Sequence, residues 1–167
     1  MTPEFSRPVR AHDVGAPGRP QLVAADAAER AALATRFDLL ALDRLEARLT
    51  LSREASGIRV RGSVEAAGTQ PCGLSGAPVP FALNETVALL LVETLPGGDD
   101  IELDEGDLDA EPLAGDVIDL GEIAAQSMAL GLDPYPRAPG AAIAGVIDEA
   151  TARAAASPFR VLKGGQD

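Results

Sequence analysis

The residues whose types and spacing could do chemistry are concentrated in one run. Asp99, Asp100, Glu102, Asp104, Glu105, Asp107, Asp109 and Glu111 are followed by Asp116, Asp119 and Glu122, eleven carboxylates between positions 99 and 122 with no Lys or Arg among them. Such a run repels phosphate backbones and attracts cationic surfaces or metal ions. Calcium requires more than charge. With Asp100 as the first position of an EF-hand loop, Glu102, Asp104 and Glu111 fall on ligand positions, but Glu105 stands where the sharp turn needs glycine. Ile101 and Leu103 are interleaved in the manner of strand residues. The run reads as a solvated acidic loop, or more sharply as a surface for a basic protein partner, and no metal or cofactor is expected.

Nucleophilic and general-base chemistry finds little support. His12 is the only histidine and Cys72 the only cysteine, far apart in sequence, so Cys72 lacks an evident base. Gly73-Leu74-Ser75-Gly76-Ala77 is a loose match to a nucleophile elbow, but Ala77 replaces the last glycine and no histidine lies downstream. Phosphate-cradling and dinucleotide fingerprints are absent. An enzyme is therefore not expected. A nucleic-acid mimic would need carboxylates on a rigid face, whereas Gly97, Gly98, Gly106 and Gly115 favour a flexible run.

These residues must be positioned by an α+β framework. Phe5 to Val14 suggests a first strand, and Ala16 to Pro20 a turn or loop. Asp26 followed by Glu29 predicts a capped helix over 27–37. Leu45, Ala47, Leu49 and Leu51 alternate with polar residues, as do Ile58, Val60, Val64 and Ala66, which predicts strands over 43–53 and 57–67 paired as a hairpin around Ser56-Gly57. The hairpin would present Arg48, Arg59 and Arg61 together on its solvent side, the alternative contact for RNA. The Pro- and Gly-bearing TQPCGLSGAPVP reads as a loop, and a third long strand follows over 80–94, ending in the apolar VALLLV of a strand covered on both faces. Short edge strands are suggested at Ile101, Leu103, Val117 and Ile118. Asp119 with Glu122 starts a second helix over 120–131, whose Leu120, Ile123, Ala124, Ser127 and Met128 share a face. Consecutive strands without helices between them give an antiparallel meander with two short helices packed on it.

A chain of 167 residues, 46% apolar and 24% charged, suits one domain. That domain is expected over 1–135 with an acidic loop at 96–116, followed by a small-residue-rich, partly flexible segment at 136–167. Net charge is −12, but residues 1–61 carry ten basic and eight acidic groups, while residues 62–167 carry four basic and eighteen acidic ones. The second half thus argues against nucleic acid as a direct partner. The apolar run Val87 to Val92 is far shorter than the roughly 18–20 residues of a membrane span. MTPEFSRPVRAHDV has no signal-type apolar core. With a single cysteine, these features lead to the expectation of a cytoplasmic protein without membrane contact.

The order FSRPV, a short helix, two strands, TQPCGLSGAPVPF, an acidic stretch and DVIDLGEIAAQSMALGLDPYPRAPG resembles the YceD family of large ribosomal RNA subunit accumulation proteins. Ile118-Asp119-Leu120-Gly121-Glu122 leading to Asp133-Pro134-Tyr135-Pro136 is the most specific part, and SPFRVLKG near the end is similar to a tail in the proteobacterial branch. Many members carry paired cysteines at the turn and more after the Pro-rich segment; here only Cys72 remains, so no metal role carries over. The resemblance implies a bacterial, non-enzymatic factor in accumulation or maturation of large-subunit ribosomal RNA. The acidic residues Asp99 to Glu111 would engage a basic ribosomal protein or assembly factor. An RNA-binding module using Arg48, Arg59 and Arg61 is the alternative, as is an acidic protein-interaction domain unrelated to ribosomes.

Overall fold

The computed structural model describes residues 3–93 and 110–141. In chain order its elements are β1 (Pro8–Arg10), a 3-10 turn (Ala11–Asp13), β2 (Arg19–Ala24), α1 (Ala27–Arg36), β3 (Ala41–Glu54), β4 (Gly57–Pro71), β5 (Pro78–Glu93), β6 (Ala110–Leu113), β7 (Val117–Asp119) and α2 (Leu120–Gly131). Strands β2, β3, β4 and β5 form an antiparallel meander, β6 adds in parallel beyond β5, and β1 pairs with β7 in a separate two-stranded sheet. The α+β class, the meander and both helices agree with the sequence pattern.

Period-2 alternation decides which side of the meander is covered. Leu45, Ala47, Leu49 and Leu51 of β3 stand opposite Ala66, Val64, Gly62 and Val60 of β4 and are buried. The same side of β5 supplies Leu83, Val87, Leu89 and Leu91. α2 closes this face by packing Leu120, Ala124, Ala125 and Met128 against it, and α1 adds Leu33 and Ala34. Each fully buried aliphatic side chain contributes about 1.5–3 kcal/mol. Near the end of β5 both faces are buried, because Leu90 and Leu91 point to opposite sides and are each almost inaccessible.

Helix starts are set by side-chain chemistry. Asp26 accepts from Glu29 N–H at 2.9 Å while Glu29 accepts from Asp26 N–H at 2.8 Å, a reciprocal capping box. Asp119 caps α2 differently. It accepts from Gly121 N–H at 3.0 Å and Glu122 N–H at 3.3 Å, and it also takes Arg7 N–H at 2.7 Å and the Ser6 hydroxyl. One carboxylate thus starts α2 and fastens the N-terminal segment to it. Gly121 permits the approach, since a Cβ there would lie 2.4 Å from the carbonyl oxygen of Phe5. Glu122 does not complete a second box, because Arg36 of α1 takes it in a two-pronged ion pair at 2.7 and 2.9 Å. Arg36 holds the Glu122 carboxyl below its ordinary value.

The structure corrects several boundaries. The strand expected over 5–14 is limited to Pro8–Arg10, since Ala11 N–H turns to the Asp116 carbonyl and Val14 N–H closes a turn on Ala11. β2 lies partly where a loop was expected; only Val23 of its six residues is buried, so no alternation betrays it. β4 and β5 extend into the supposed TQPCGLSGAPVP loop, shrinking it to Cys72–Ala77, because Thr69, Gln70 and Pro71 pair with Pro80, Val79 and Pro78. Val117 and Ile118 do form a strand, but against β1. Ile101 and Leu103 lie outside the described residues.

Replacing Asp119 by Ala removes a cap and strands Arg7 N–H, so chemical denaturation should report a loss of about 2–3 kcal/mol. Asp119→Asn, which keeps an acceptor, should lose less than about 1 kcal/mol.

Candidate functional site

Of the eight acidic residues expected to meet a partner, Asp99, Asp100, Glu102, Asp104, Glu105, Asp107 and Asp109 lie outside the described residues. Glu111 is exposed on β6. The strands that bracket the run are well placed. Leu90 pairs with Ala110 and Glu93 with Leu113, so the chain leaves the sheet at the end of β5 and re-enters it alongside the same strand. Both attachment points of the acidic run therefore sit at one sheet edge. No Lys or Arg occurs between Arg61 and Arg137, a span that includes β5, β6, β7 and α2; across the sheet Arg59 stands opposite Leu90 and is bound to Glu54.

Arg48, Arg59 and Arg61 do share the uncovered face of the meander: Arg48 stands opposite Ser63, Arg61 opposite Thr50 and Arg59 opposite Ser52. Their availability differs. Arg59 is 15% exposed and bound to Glu54 at 2.8 and 2.9 Å. Neighbouring Arg44 is divided between Glu46 at 3.0 Å and Glu65 at 2.9 Å. Arg48 and Arg61 are exposed and form no ion pair among the described residues. On this face four arginines meet the carboxylates of Glu46, Glu54 and Glu65, which leaves little net charge for a phosphate backbone. Among the described residues the face has no stacking platform, because Phe5, Phe37 and Phe81 all pack with the core on the other side.

Cys72 occupies a different constellation, at the β4–β5 turn. The residues after α2 run back across this turn: Gln70 Nε2 donates to the Asp133 carbonyl at 3.0 Å, Gly73 N–H to the Pro136 carbonyl at 2.8 Å, and Ala138 N–H to Cys72 Sγ at 3.3 Å. The chain is thus held on the domain past the expected boundary at Tyr135, at least as far as Ala138. Cys72 is 3% exposed. Its thiol is pushed down to about 6, chiefly by the Ser75 hydroxyl and further by the backbone N–H groups of Ala138, Leu74 and Ser75, all of which favour the thiolate. The histidine is not beside it: His12 lies at the β1–β7 sheet, with Nδ1 2.6 Å from Asp116 and Nε2 3.4 Å from Asp13. No cluster of three or more His, Cys, Asp or Glu suited to a metal occurs among the described residues.

Sequence reasoning missed the docking of the post-helix segment onto the Cys72 turn. Gln70 offered the signal, as a polar residue at an inward position of a strand whose side chain is buried only because a carbonyl receives it. Among the described residues no helix is long and apolar enough to cross a membrane. No protein-family model, curated protein or solved structure matches the chain.

The lowered Cys72 value links stability to pH. A thiol that ionises near 6 when folded and near 9.0 when unfolded adds stability that is complete above the unfolded value and is lost as pH falls through about 6. Relative to Cys72→Ser, the wild-type urea midpoint should therefore rise between about pH 6 and pH 9, and the two midpoints should run parallel below that window.

Proposed function

We propose that this chain is a non-enzymatic factor of the YceD kind, acting in the cytoplasm, which supports accumulation or maturation of large-subunit ribosomal RNA by binding a basic ribosomal protein or assembly factor through Asp99 to Glu111. The observation that carries this reading is the attachment of the acidic run. Its two ends join strands that pair with each other at Leu90 and Ala110, so eight carboxylates are tethered to one edge of a rigid sheet with no cation nearby in sequence to neutralise them. A concentrated field of one sign accelerates encounter with a basic protein and discriminates against acidic ones.

TQPCGLSGAPVPF and DPYPRAPG, two of the segments on which the resemblance rests, are hydrogen-bonded to one another through Gly73 and Pro136 and through Cys72 and Ala138. Direct RNA binding is the weaker reading, since among the described residues only Arg48 and Arg61 of the arginines on this near-neutral face are without an ion pair, and no described aromatic ring lies on it.

Affinity capture from cell extract, with and without ribonuclease, tests the proposal. Large-subunit proteins or assembly factors should remain bound after ribonuclease, whereas their loss would move the function to the arginine face. With a captured partner, joint replacement of Asp104, Glu105, Asp107 and Asp109 by Asn or Gln should weaken binding about tenfold at low salt and flatten its salt dependence. Arg48→Ala with Arg61→Ala should leave it within about twofold.

A further inference from the structure

Among the described residues the far edge of β5 is largely unpaired. β6 pairs only with Leu90 to Glu93, so among the described residues Pro78 to Leu89 have a partner strand on one side alone. Pro78 and Pro80 lack N–H donors, which leaves nine residues, Phe81 to Leu89, as an edge about 30 Å long at roughly 3.3 Å per residue. About half of these residues direct their N–H and C=O groups outward, ready to pair with another strand.

Beside this edge lies a cleft of about 340 Å³, walled by Thr86 and Leu89 of β5, Glu111 of β6, and Ile123, Ser127 and Leu130 of α2. Leu89 and Ile123 are only partly covered, and Leu130 is 88% exposed. A strand edge next to a helix that shows apolar side chains can take an extended peptide by main-chain pairing while alternate side chains enter the cleft.

Charge selects the occupant. Glu85 stands opposite Val64 on the core-facing side of β5, a position the alternation would give to an apolar residue. Its carboxylate lies against Gly131 at the C-terminal end of α2, where a Cβ would come within 2.5 Å of Oε1. The last turn of α2 contains no basic residue, so the negative helix end and the carboxylate reinforce each other. Glu85 has no hydrogen bond or ion pair among the described residues. A second copy of the chain would set one Glu85 and its acidic neighbours against another, which like-charge repulsion disfavours. A strand parallel to β5 at this edge would lie in line with β6, which the acidic run enters at Ala110.

We infer that the open edge of β5 from Phe81 to Leu89, together with the exposed side of α2, forms a groove that accepts an extended basic segment of a protein partner as an added strand. The inference rests on the partner class proposed above and assigns where that partner docks.

Hydrogen–deuterium exchange on the full chain tests it, with an alternating Lys/Val nonapeptide as probe and a Glu/Val nonapeptide as control. Amides within Phe81 to Leu89 should slow at least tenfold with the basic probe and remain unchanged with the acidic one. Glu85→Gln should weaken probe binding about fivefold or more, and Leu130→Ser, at an exposed position that leaves the core untouched, should weaken it severalfold. Probe binding that protects none of these amides and disappears on neutralising Asp104, Glu105, Asp107 and Asp109 would overturn the groove and leave the proposed partner class standing. Absence of probe binding would overturn it as well. Edge amides already protected in the free chain, and released by Phe159→Asp, would assign the groove to the chain's own SPFRVL segment instead; protection that grows with protein concentration would assign it to a second copy.

Discussion

The burial of one face of the β2–β5 meander beneath α2 is the constraint on which the other features depend, and Asp119 holds it in place. A helix laid on a sheet needs an entry point and a fixed angle. Asp119 provides both by accepting from the first turn of α2 and from Ser6 and Arg7 at once. With the N-terminal segment bound there, Phe5 is buried beside α2 and Arg36 reaches Glu122 from α1. Loss of that junction would release the N-terminal segment from the first turn of α2.

Among the described residues the other face is left largely open except around Leu90, and the two faces have diverged. The bare face carries four arginines, of which Arg44 and Arg59 are paired with glutamates. Such exposed pairs contribute little to stability; their effect is to bring the face near neutrality. The β5 edge has the opposite character, because it joins an acidic run, a core-side glutamate without an ion pair among the described residues and a helix end of negative potential. The polarity of the chain, basic in its first part and acidic in its second, thus becomes a polarity of surface.

Much of the framework was legible in the residues themselves. β3 and β4 announced themselves because each has one dry and one wet face, and that arrangement forces strict alternation. Both helices were visible through Asp26 and Asp119, since unsatisfied N–H groups at a helix start demand an acceptor just before it. β2 was not legible, because an edge strand with a single buried residue carries no periodic imprint. The TQP and PVP flanks looked like loop because of their prolines, yet the pairing of β4 with β5 carries the ladder through them.

The candidate site divides in the same way. The sequence by itself determined the acidic run, the absence of nearby cations and the common face of Arg48, Arg59 and Arg61, because charge is a property of residues and a strand's period is local. Only the tertiary structure decided that Arg59 is occupied by Glu54, that the segment after α2 returns to lie over Cys72, and that β6 runs parallel to β5 and begins beside Leu90. Those outcomes depend on which distant backbone and side-chain groups meet, and on the requirement that buried polar groups be paired.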